Sequence, residues 1–235
     1  MTPNLQFKIS CTSDINNCLF FVKHNSKNNK LFLKWFLPKN FQYILNKNFT
    51  DTERNKIIRE YTKHIYKLNQ KEIKEGLNET EIKWRKIENK YYNLVSKLFK
   101  GHLWPKGKYL GIASIYSMYP RNIKDQYFYL PYSHKNFNPL SVIGHEMLHF
   151  IFFDYIKKKY KLTEKSKFTN KNPEYIWEVS ETFNNVIENW KPYTNIIKRD
   201  DSRPYPGCKK MYKLMKNQWT KNPDIENFLA KWLLT

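Results

Sequence analysis

Cysteine is scarce in this sequence. Cys11, Cys18 and Cys208 are its three thiols, none forms a C-x-x-C pair, and an odd number closes no disulfide framework. That argues against a small disulfide-stapled secreted domain and for a reduced, cytoplasmic setting. Long apolar runs are missing too: Phe150 to Phe153 is followed at once by Asp154 and soon by three lysines, far short of a membrane span. The start, Met1-Thr2-Pro3-Asn4-Leu5-Gln6-Phe7-Lys8, shows no basic region leading into an apolar core, so no signal peptide is expected. Neither an internal repeat nor a linker is visible. Acidic residues are few: 21 Asp and Glu stand against 42 Lys and Arg, a net charge of +21. Such a surplus fits an anionic partner such as nucleic acid. No nucleic-acid motif accompanies it, however. The lysines are scattered, as codon bias that also inflates Asn, Ile, Tyr and Phe would scatter them. Clusters such as Lys157-Lys158-Lys159 and Lys209-Lys210 are short. Nucleic acid is therefore a less favoured partner. Histidine is absent beyond His149.

What the protein does have is size and apolar content: 235 residues, 40% hydrophobic and 17% aromatic, enough for a folded core. Its most informative segment is His145-Glu146-Met147-Leu148-His149. The surrounding apolar residues, from Leu140 to Ile156, predict a helix buried nearly all round, opening at Asn138-Pro139. Two histidines four apart on a helix leave the same face, separated by roughly 40° and one turn of rise. They can share one metal ion. Glu146, one residue on, can sit beside that ion without binding it. This is the H-E-x-x-H arrangement of two zinc ligands and a general base.

A catalytic zinc usually takes a third protein ligand and leaves one position open. No later histidine exists, and Tyr155 occupies the place of a ligand six residues after His149. A carboxylate from a later helix remains. The segment around Trp177–Ile187 is amphipathic and places Glu178, Glu181 and Asn185 on one polar face. Glu181 is the expected third ligand, with Glu178 as the alternative. Asn185, one turn on, is expected to hydrogen-bond the far nitrogen of a ligand histidine.

With these residues the protein resembles the zincin metallopeptidases, and among them the gluzincins. The match is His145-Glu146-x-x-His149 followed by Ser180-Glu181-x-x-x-Asn185, within roughly residues 109–190. It departs in carrying Asn185 where an acidic residue is often found, and in a longer gap between ligands. The resemblance implies zinc-dependent peptide-bond hydrolysis by a metal-activated water with Glu146 as general base, acting on a peptide or protein substrate. It implies a second electrophile for the oxyanion. Tyr193, Arg199, Arg203 and Tyr205 are the available types, and Tyr205 is the expected one. The competing reading is a non-catalytic or regulatory metal-binding protein with a basic nucleic-acid-binding surface.

The fold expected is α+β and zincin-like. A small mixed or antiparallel sheet would pack on the buried metal-binding helix, beside a long helical hairpin and a helical carboxy-terminal part. Residues 1–48 read as amino-terminal strands, with Cys18–Val22 and Leu31–Phe36 flanking a hairpin loop at 24–29. Residues 49–101 read as the helical hairpin, broken at Gly76-Leu77-Asn78 and ended by Gly101. Residues 102–235 read as the catalytic region, all three parts forming one compact unit. In that region 109–118 and 126–132 are expected strands joined through Pro120-Arg121-Asn122, and the resemblance makes one of them an edge that cradles extended substrate. Asn138-Pro139, Asn172-Pro173 and Asn222-Pro223 each read as a helix start. The stretch 161–171 reads as a polar loop. No part reads as membrane-bound.

Overall fold

The structure, a computed structural model, describes residues 2–25, 30–46, 48–135, 137–198 and 203–234. It is mixed α and β, with much helix and one four-stranded mixed sheet. The protein divides into two compact units: Leu5–Trp84 with Lys108–Val142, and Met1–Asn4 with Arg85–Gly107 and Ile143–Thr235.

In the first unit the amino-terminal region departs from the strand reading. β1 (Asn4–Ile9) is followed by two helices, α1 (Cys11–Asn25) and α2 (Lys30–Phe36), where short strands were expected. Ser10 caps α1, its hydroxyl accepting the Ser13 N–H at 3.2 Å. Ile15, Cys18 and Val22 recur at helical spacing and are all buried. Positions 26–29 of the expected hairpin loop lie outside the described residues. A 3-10 helix (Lys39–Leu45) leads into α3 (Asp51–Leu68). There Thr50 and Glu53 form a capping box. Phe41 stacks on Tyr61 at 3.8 Å between ring centroids, inside a core built from Cys18, Leu33, Leu37, Ile44 and Ile58.

α4 (Gln70–Leu98) follows α3 after the single residue Asn69. The expected helical hairpin is not formed. Asn69 N–H bonds Ile65 C=O at 2.9 Å and Ile73 N–H bonds Asn69 C=O at 2.9 Å. Hydrogen bonding runs through the junction, and the two helices lack the loop of about 2–5 residues that an antiparallel pair needs. α3 packs on α1 instead. Gly76, read as a breaker, lies inside α4. A Cβ there would collide with the backbone carbonyl of Tyr132, so glycine permits a close approach. The end of α4 is as expected: Gly101 is left-handed (φ 78°) and its N–H closes on Ser96 C=O at 2.8 Å, with Lys100 before it also left-handed (φ 53°).

The sheet of this unit runs in the order β1, β2 (Lys108–Ser114), β4 (Tyr127–Pro131), β3 (Arg121–Asn122). β2 and β4 are parallel, Leu110 opposite Tyr127 through to Ser114 opposite Pro131. β3 is antiparallel to β4. The backbone therefore crosses over between β2 and β4. β2 stops at Ser114 because Asp14 of α1 takes the next N–H, that of Ile115, at 2.9 Å. The expected edge strand is not found at β2, which has a strand on each side, and β4 is flanked by β2 and the two-residue β3.

In the second unit α5 (Pro139–Tyr160) carries the histidine motif from Ile143 onward. Asn138 caps it as expected, Oδ1 accepting the Leu140 N–H at 3.0 Å. Ile143, Met147, Leu148, Phe150, Ile151 and Phe152 are all buried. α6 (Tyr175–Glu188) begins two residues past Pro173, after Asn172 Oδ1 has accepted the Glu174 N–H at 2.8 Å. A short α7 (Lys191–Thr194) leads on to α8 (Lys209–Lys221) and α9 (Ile225–Leu233). The third expected start moves by two residues. Asn222 closes α8, and Asp224 caps α9 by accepting the Asn227 N–H at 2.9 Å. Phe152, Phe183, Phe228 and Trp219 form a series of ring contacts through α5, α6, α9 and α8, at 5.3, 5.9 and 5.3 Å. Residues 161–171 are loop and turn, as expected. Among the described residues no helix is long and apolar enough to cross a membrane.

Candidate metal centre

Helix α5 turns His145 and His149 to one face, and their Nε2 atoms lie 3.0 Å apart. α6 supplies Glu181, with Oε2 3.2 Å from His145 Nε2 and Oε1 3.3 Å from His149 Nε2. These three residues form a group able to hold a metal ion. The spacing fits one. A tetrahedral ion with ligands at 2.0–2.1 Å requires donor atoms about 3.3–3.4 Å apart. Of the two carboxylates expected on this face, Glu181 is the one that meets the imidazoles. Glu178 is held at the start of α6, accepting from Asn172 Nδ2 at 2.8 Å.

The orientation of His145 comes from a residue the sequence reading missed. Glu188 accepts from His145 Nδ1 at 2.8 Å, with no part of its side chain exposed. That bond keeps the proton on Nδ1 and directs Nε2 toward Glu181 and His149. Asn185 was expected in this role. It is buried, but the structure gives the bond to Glu188, one turn further on. Seven residues bring a helix back within roughly 20° of its starting face, so Glu181 and Glu188 reach the two sides of one ring. The Glu181–Glu188 spacing was the available signal. Asn184 was also missed. Its Nδ2 donates to the backbone carbonyl oxygen of His145 at 2.9 Å and ties α6 to α5 at the ligand itself.

Close packing under the motif depends on Gly144. A Cβ there would meet Ile197 Cδ1 and the Tyr193 hydroxyl. On the same stretch of helix, Tyr91 donates to the Gly144 C=O at 2.7 Å. Tyr193 is thus a buried packing residue beneath α5. Tyr205 is 46% exposed, its ring against Trp177, which precedes Glu181 by one turn. Arg203 is exposed, and Arg199 lies outside the described residues. Glu146 is buried.

The electrostatics favour a cation. Burial opposes charge on His145, but Glu188 and Glu181 outweigh it and push the imidazole up to about 10. Burial likewise opposes charge on Glu181, yet His149 and His145 hold it well below the usual carboxylate range. Two buried carboxylates, Glu181 and Glu188, thus converge on this pair of imidazoles. Buried charge is costly unless it is paired or bound to metal. A divalent ion between the imidazole nitrogens and Glu181 would meet that negative charge in place of an imidazole proton. Comparison of the sequence and fold with protein-family models, with curated proteins and with solved structures returned no match.

Proposed function

We propose that this protein is a zinc-dependent peptidase of the gluzincin kind, with the ion held by His145, His149 and Glu181. The observation that carries the reading is the convergence of those three donors at separations of 3.0 to 3.3 Å. Two imidazole nitrogens and one carboxylate oxygen are a donor set suited to zinc. Bound there, zinc supplies Lewis acidity and acidifies a water to a pKa of about 7. Glu146 is the general base, taking the proton of the attacking water and returning it to the leaving amine. Glu188 holds the tautomer of His145, and Asn184 fixes the backbone that carries it. Tyr205 is the hydroxyl assigned to the developing oxyanion.

Depth favours a second reading, a non-catalytic or regulatory metal site. His149 has no exposed surface, Glu181 is 2% and Glu146 5% exposed. Metal analysis of the purified protein, followed by hydrolysis of a fluorogenic casein, separates the two. The peptidase reading requires near-stoichiometric zinc, cleavage blocked by chelator, and a Glu146→Gln variant that keeps zinc but does not cleave. Zinc with no hydrolysis by the wild type would favour the second reading, and no metal uptake would end both.

A further inference from the structure

We propose that the exposed face of α8, with the groove between α8 and α9, binds single-stranded nucleic acid. This stands apart from the metal centre and does not rest on the peptidase reading.

The first observation is a difference between helices. On α3 and α4 acidic residues interleave with the basic ones and several charges are compensated internally: Lys56 with Glu60, Lys71 with Glu75, Lys83 with Glu79 and Arg85 with Glu88. On α8 they are not. Lys209, Lys210, Lys213, Lys216 and Lys221 are all exposed, and none forms an ion pair among the described residues. No acidic residue occurs anywhere from Arg203 to Pro223. Like charges three and four residues apart destabilise a helix. A composition biased toward lysine explains many lysines, but not a face without counter-charge. A polyanion supplies it.

The second observation is a groove of about 360 Å³ beside that face, lined by Leu214, Gln218, Lys221, Lys231 and Trp232 among others. Its aromatic wall is fixed. Trp232 Nε1 donates to Gln218 Oε1 at 2.9 Å, while Gln218 Nε2 donates to the Asn227 C=O at 3.2 Å. A tryptophan held in one orientation, in a groove that two lysines also line, suits a stacked base with its phosphates alongside. An acidic polypeptide uses the lysines but not the ring. A membrane surface needs a broad apolar face, and α8 buries Met215 and Trp219, leaving Leu214 exposed.

The test is fluorescence anisotropy of the full-length protein with labelled oligo(dT) and oligo(U) of about 20 nucleotides, long enough for one such site. Binding is expected at moderate salt, with log affinity falling by about 0.7 per phosphate neutralised for each log unit of salt. The triple variant Lys210→Gln, Lys213→Gln, Lys216→Gln should lose about tenfold or more in affinity. The matched variant Lys56→Gln, Lys71→Gln, Lys83→Gln removes the same charge and should lose less than about twofold. Circular dichroism checks that both remain folded. Trp232→Leu should weaken binding without changing the salt slope. The proposal fails if oligonucleotides do not bind, or if both triple variants weaken equally. Polyglutamate competing as well as oligonucleotide, or phosphatidylserine vesicles binding where oligonucleotide does not, would also overturn it.

Discussion

Glu188 and His145 share a hydrogen bond of 2.8 Å between Oε1 and Nδ1, and the accepting side chain has no exposed surface. The carboxylate that orients the first histidine thus sits on the same helix as the carboxylate that meets its other nitrogen. One helix governs both sides of the ring.

Glu188→Gln should keep the acceptor but lose the charge, and metal affinity should fall roughly 10- to 100-fold. Titration against a chelator of known affinity measures this. An unchanged dissociation constant would show that the bond does not tune the site.

Gly144→Ala tests the packing under the motif. The new methyl meets Tyr193 and Ile197 and should cost about 1–3 kcal/mol. Because the strain lies next to His145, metal affinity should fall together with the denaturation midpoint. A variant as stable as the wild type would mean that the helix has room the geometry denies.

Phe183 joins Phe152 of α5 to Phe228 of α9 and is fully buried. Phe183→Ala should cost about 3–5 kcal/mol in unfolding free energy. Urea denaturation followed by tryptophan fluorescence reads it. A loss below about 1 kcal/mol would place the centre of the core elsewhere.

Asp14 gives a pH signature unconnected with the metal centre. Burial pushes its carboxyl up to about 6, although Ser114, the Ile115 N–H and Tyr66 all donate to it and pull it down. A carboxyl raised from 3.8 favours the protonated folded state, so its stabilisation is complete below about 4 and is lost as pH rises through about 6. The difference corresponds to roughly 3 kcal/mol. Asp14→Asn, which cannot ionise, should gain on the wild type by about that much between pH 4 and pH 7. A constant difference between the two proteins across that range would refute the assignment.

The residues of the metal group were legible because their geometry is local. A spacing of four on a helix aligns His145 with His149 whatever surrounds them, and Asn138 marks where that helix starts. Glu181 was reachable because no histidine remained and an amphipathic segment carried few carboxylates. Glu188 was less visible, lying in the last turn before Asn189-Trp190. The amino-terminal helices were lost to a short continuous apolar run, Cys18 to Val22, which does not distinguish strand from helix. The cap at Ser10 and the spacing of Ile15, Cys18 and Val22 carried the answer. Gly76 was misread because its reason is a distant carbonyl, that of Tyr132. The parallel pairing of β2 and β4 depends on a crossover that no local pattern encodes.

The depth of Glu181 and His149 has a kinetic consequence. An ion held between them would be screened from solvent on those two sides, while the side of His145, whose side chain is 17% exposed, stays open. Parting Glu181 from the ion would need α6 to lift from α5, a local opening that breaks the Asn184 tether and separates the rings of Phe152 and Phe183. Loss of the ion should then proceed at a rate independent of chelator concentration once chelator is in excess. Truncating Asn184, which binds no ion itself, should quicken it.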